Sequence, residues 1–155
     1  MVSFNKTKID IKNFTNIDTI LGENKYLEVT ASTNFMNKSS LNLKLKYDLI
    51  SKDESHYVYA TLEKFPLYHI NKTLGAIAPI KIKNGVVNKT QLQYFANNKQ
   101  AKGTLDLHYN DLWVELVKNE QKHKNFEVIS FIANNFIKSN NQPGSHKYRQ
   151  GQIQC

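Results

Sequence analysis

Leu41, Leu43, Leu45, Tyr47 and Leu49 alternate with Asn42, Lys44, Lys46 and Asp48, and this pattern constrains the chain more than any other. Side chains on a strand point to opposite faces in turn, so a period of two puts the leucines on one side and the lysines on the other. Leu27, Val29, Ala31, Thr33 and Phe35 repeat the pattern just upstream, and Asn37, Lys38 and Ser39 between the two runs predict a hairpin turn. Val2, Phe4, Ile9 and Ile11 predict an earlier strand with a phase slip near Lys6. His56 to Leu62 predicts a further strand, with Tyr57 and Tyr59 on one side and Val58, Ala60 and Leu62 on the other.

Pro66 then suits the first turn of a helix, and Leu67, Ile70 and Leu74 recur at helical spacing before Gly75 and Pro79 end it. This predicts a short helix near 66–74 lying on a sheet. Strand character returns at Ile80 and Ile82, passes Gly85, and resumes through Thr90, Leu92 and Tyr94 to a turn at Asn97 and Asn98. Gly103 to Val117 is expected to be the longest strand, about 50 Å at about 3.3 Å per residue. Leu105, Leu107 and Tyr109 hold one phase and Leu112, Val114 and Leu116 the other, so the slip at Asn110 and Asp111 predicts a β-bulge or bend. Phe126, Ile129, Ala133, Phe136 and Ile137 change the period again and predict a helix near 126–137, too short to cross a bilayer. The fold class is therefore mainly β: a long, curved antiparallel sheet with one apolar face and two short helices. Residues 1–142 form one β-rich unit, followed by an irregular basic tail at 143–155 in which a following strand would be cut short.

Composition narrows the function. The chain of 155 residues carries a formal charge of +8, yet Arg149 is its only arginine and the lysines are scattered along its length. Arginine's planar fork is the usual reader of phosphates and bases, so nucleic acid is not an expected partner. Cys155 is the one cysteine, which excludes a disulfide or a cysteine-based zinc site within the chain. His56, His69, His108, His123 and His146 lack metal-ligand spacing, and no nucleophile elbow, phosphate-binding loop or dinucleotide fingerprint occurs. Asp106 and Asp111 flank the phase slip as paired carboxylates could for acid–base work, but charged residues on the wet face of a strand are commonly only solvated. Asn-x-Ser/Thr triplets at Asn5, Asn13, Asn37, Asn71 and Asn88 are what chance produces in an asparagine-rich chain. The aromatic residues offer core packing or, as a second reading, a platform for sugars or single-stranded nucleic acid. No catalytic set, metal or cofactor is expected.

One stretch carries a resemblance. Phe65-Pro66-Leu67 precedes a helical turn and then Pro79-Ile80-Lys81-Ile82-Lys83-Asn84-Gly85; Ala101 to Leu116 contains Gly-Thr-Leu-Asp-Leu-His-Tyr-Asn-Asp-Leu; and Ile129 to Pro143 ends in Asn-Asn-Gln-Pro. In this order the segments resemble the C-terminal region of AsmA-like bacterial envelope proteins, the AsmA and TamB type, as found in Bacteroidetes. The resemblance covers about half the chain. It implies a fragment of a larger protein, held at the inner membrane by segments outside this chain and facing the periplasm. It also implies a non-enzymatic role in phospholipid transfer or outer-membrane biogenesis, with acyl chains as the partner. On that reading Leu41, Leu43, Leu45, Leu105, Leu107 and Tyr109 line a lipid groove. Alternation alone serves equally well for a structural or protein-interaction domain whose apolar face closes into a core, and both readings stay open at this stage.

Overall fold

A computed structural model of the protein describes residues 2–77, 79–116, 139–146 and 148–155. The chain is mainly β, as the alternation requires. Its elements run β1 (Phe4–Lys12), helix α1 (Asp18–Glu23), β2 (Tyr26–Phe35), β3 (Ser39–Asp48), β4 (His56–Leu62), β5 (Phe65–Pro66), a 3-10 turn (Leu67–Ile70), helix α2 (Asn71–Ile77), β6 (Ile80–Ala96), β7 (Ala101–Leu116) and β8 (Gly151–Gln154). All strands belong to one open antiparallel sheet in the order β1-β2-β3-β4-β6-β7-β8, with β5 paired beside β6. Chain order and sheet order nearly coincide, because each strand pairs with one close to it in sequence; the links β2–β3, β3–β4 and β6–β7 are short, and the link from β7 to β8 is long.

The phase slips are β-bulges. Lys6 takes a positive φ of 54° within the register shift between Asn5 and Lys8, and Asp111 takes a positive φ of 55°. An extra residue in one strand reverses the side-chain phase, so each bulge returns the following apolar residues to the face they would otherwise leave. Phe4 and Ile9 thus stand opposite Phe35 and Ala31 on the same side of the sheet. In β6 the register shifts at Ile82/Asn84, Asn84/Val86 and Val87/Lys89, and Ile82 and Val87 join one buried cluster with Tyr109 and Leu112 of β7.

Four expectations need correction. Gly75 does not end the helix; it lies within α2, which runs on to Ile77 after a 3-10 turn that begins at Leu67. Pro66 sits in β5, where its ring suits a short strand beside Val86. β6 is unbroken over 17 residues, because the turn-like Gly85 is absorbed into the strand at φ 135°. The tail is not wholly irregular: Gly151–Gln154 forms β8, with Ile153 opposite Gly103 and Gly151 opposite Leu105. The short α1 has no counterpart in the sequence reading, since its N-cap, Ile17, makes no capping bond and its six residues give no period. The helix expected near 126–137 lies outside the described residues.

Burial is concentrated at one end of the sheet. Phe65, Ile82, Val87, Tyr109 and Leu112 form the buried cluster, and Leu67, Ile70 and Leu74 pack on it from the 3-10 turn and α2. Asn71 fastens this cover: its side-chain amide donates to the Ile82 carbonyl and its oxygen accepts from the Ile82 N–H, both at 2.7 Å. The side chain thus satisfies both backbone groups of a buried strand residue, as a neighbouring strand would. Asn141, itself buried, ties β7 to the segment before β8, donating to the carbonyls of Leu107 and Arg149 and accepting from the Arg149 N–H.

Candidate functional site

The register places the alternating apolar residues in rows that cross the whole sheet. One row runs Ile9, Ala31, Leu43, Ala60, Leu92, Leu105 and Gly151 from β1 to β8. The next runs Ile11, Val29, Leu45, Val58, Tyr94, Gly103 and Ile153. Directly opposed side chains share a face, so these rows and their neighbours make one continuous apolar surface. Among the described residues nothing but its own neighbours packs on most of it: Leu41, Leu45, Val58, Leu92 and Leu105 are intermediate, and Leu43, Ile11 and Ile9 are 36%, 55% and 63% exposed.

At the end held by Phe65 the surface runs beneath α2 and the 3-10 turn into a cavity of about 360 Å³. Phe35, Phe65, Leu67, Ile70, Val87 and Leu107 are among its walls, and Thr90 is the one polar lining residue among those described. At about 30 Å³ for a water-sized group, such a cavity holds about a dozen methylene-sized groups. At the opposite end of the same face the rings become polar: Tyr47 stacks on His56 at 6.1 Å between centroids, and Tyr94 meets His56 edge-on at 6.1 Å. Among the described residues the apolar face therefore has a dry, roofed end and a wetter, uncovered one.

Of the six residues expected to line a groove, Leu41, Leu43, Leu45, Leu105 and Leu107 lie on this face, and Leu107 also borders the roofed cavity. Tyr109 shares the face but not the open stretch; it is 4% exposed within the buried cluster, and burial pushes its phenol above the usual range, keeping it neutral. Phe65, Val87 and Leu112 were not singled out for the site. The break at Phe65-Pro66, the paired Val86-Val87 and the change of phase that begins at Leu112 were their signals, and none tells which strand β6 will face.

Other groups of reactive type are tied into structure. Asp106 accepts from the Tyr148 hydroxyl and from the Gln150 amide at 2.8 and 2.9 Å, and this acceptor drives the Tyr148 phenol up to about 12. Asp111 sits at the bulge, where its N–H donates to the Asn140 side-chain oxygen at 3.0 Å. Among the described residues no group of histidine, cysteine and carboxylate side chains could hold a metal ion, and no helix is long and apolar enough to cross a membrane. No family model matches the chain, and no curated protein or solved structure matches it.

Proposed function

We propose that the chain handles lipid without catalysing a reaction, offering its apolar sheet face as a path for phospholipid acyl chains. The observation that carries this reading is the unbroken apolar surface from β1 to β8, roofed at one end only among the described residues. Bringing an acyl chain of about fifteen carbons into water costs roughly 12 kcal/mol at about 0.8 kcal/mol per methylene. A trough of leucine, valine and alanine removes most of that cost, while the lysines and asparagines of the opposite face stay hydrated. The resemblance to AsmA-like proteins supplies the setting: the periplasmic side of a bacterial envelope, with the membrane reached through segments outside this chain.

A second reading, a structural or protein-interaction domain, has its own support in the buried Phe65 cluster, which already gives the chain a core. Photo-crosslinking separates the two. A crosslinking residue at position 43, 45 or 105 is expected to capture phospholipid in bacterial cells, seen by mass spectrometry, whereas one at position 44 on the opposite face captures none. Absence of lipid adducts from all three positions, together with no co-purified lipid, overturns the proposal. Protein adducts at those positions instead assign the face to a partner protein.

A further inference from the structure

The face opposite the trough holds a feature that lipid handling does not use. In β3, β4, β6 and β7, Lys46 stands opposite Tyr57, Tyr57 opposite Phe95, and Phe95 opposite Lys102. The sheet therefore displays a cross-strand row of cation, ring, ring and cation, with its lysine backbones about 14 Å apart at about 4.8 Å per strand. The parallel row is Lys44, Tyr59, Gln93 and Thr104. Together they border an open depression of about 500 Å³ lined, among the described residues, by no carboxylate.

Aromatic cross-strand pairs usually stabilise a sheet by burying area. Here Tyr57 is 51% and Tyr59 37% exposed, and Phe95 is half-buried. Lys44 and Lys102 form no ion pair among the described residues, and Lys46 reaches Glu28 at 2.7 Å. Gln91 donates to the Tyr59 hydroxyl at 2.9 Å and Gln93 to Thr104 at 3.2 Å, so the amide oxygens remain available to accept hydroxyl protons.

We infer that this depression binds an anionic oligosaccharide, with sugar rings against Tyr57 and Phe95 and their acid groups at the lysines. Lys44 and Lys102, which form no ion pair among the described residues, and Lys46, which the depression shares with Glu28, leave it net positive and select a ligand carrying negative charge. The amides and hydroxyls beside the rings suit a ligand rich in hydroxyl groups. Tyr57 and Phe95 are 4.9 Å apart but inclined at 48°, so they present no common plane on which successive bases could stack. No arginine lines the depression to fork onto phosphates. A sugar, whose C–H groups pack on a tilted ring, is the better fit.

Titration of the 155-residue chain with hexagalacturonate, followed by calorimetry, tests the site. Saturable, salt-weakened binding is expected, reduced tenfold or more (about 1.4 kcal/mol) by Tyr57→Ala and by paired Lys46→Gln and Lys102→Gln. Neutral maltohexaose should bind at least tenfold more weakly than hexagalacturonate. The lysine pair is exposed, so it tests the site even where Tyr57→Ala lowers the melting temperature. No saturable binding, or binding that the lysine pair leaves unchanged, overturns the inference. Tighter binding of single-stranded oligothymidine also overturns it and assigns the face to nucleic acid. Crosslinking from positions 43, 45 and 105 reads the other face, so each proposal can fail without the other.

Discussion

At the scale of single residues, short polar side chains hold together what a sheet cannot hold by strand pairing. Asp53 is the clearest case. Its carboxylate accepts from the hydroxyls of Ser51 and Ser55 and from the Asn97 amide at 2.8 Å, while its carbonyl accepts from the Asn98 N–H at 2.8 Å. One residue thereby ties the β3–β4 loop to the β6–β7 turn. The hydroxyl donors hold the Asp53 carboxyl down at about 2, below its ordinary 3.8. A depressed folded-state value adds stability above the ordinary value, and that contribution is lost as pH falls through the folded one. The stability difference between the native chain and Asp53→Asn should therefore be full above pH 3.8 and shrink as pH falls toward 2. Carbon-detected NMR titration of the Asp53 carboxyl checks the premise directly; a midpoint near the ordinary value would remove it.

At the scale of elements, the sequence was informative wherever local chemistry decides the outcome. Lysine and leucine alternation at 41–48 specifies β3 and its two faces, and the slip at Asn110–Asp111 is visible as a change of phase, since a bulge is the short way to reverse it. Gly75 misled because a glycine in a helix lowers its stability by only about 1 kcal/mol, an amount that packing of Ile70 and Leu74 on the buried cluster offsets. Gly103 shows what pairing adds. As an isolated letter it marks only the start of a strand, but beside Tyr94 it leaves room for nothing larger: a Cβ there would lie 2.4 Å from that of Tyr94 and 2.2 Å from the Gln93 carbonyl oxygen. Gly103→Ala is expected to cost about 1–3 kcal/mol through overpacking, read from urea unfolding. A loss within the scatter of ordinary surface substitutions would mean that β6 and β7 are less closely apposed than this register requires.

At the scale of the whole molecule, the question is whether the apolar face is a surface or half of a core. Alternation could not decide it, since a strand with one dry face serves both, and the site residues were legible only as members of a face. The register now gives the two cases different energetic signatures. Leu43 lies between Ala31 and Ala60, 36% exposed, whereas Phe65 is 1% exposed beneath Leu67 and Ile70. Removing a side chain from an enclosed site loses its transfer energy and leaves a cavity; removing one from an uncovered face does neither in full. Phe65→Ala should therefore destabilise the chain by about 3–5 kcal/mol, and Leu43→Ser by about 1–2 kcal/mol. Equilibrium urea unfolding of both variants at one pH measures the contrast. A cost for Leu43→Ser in the range of a core substitution would mean that a further layer closes over the middle of the sheet. The trough would then be a core, the acyl-chain path would have no room, and the interaction-domain reading would take its place.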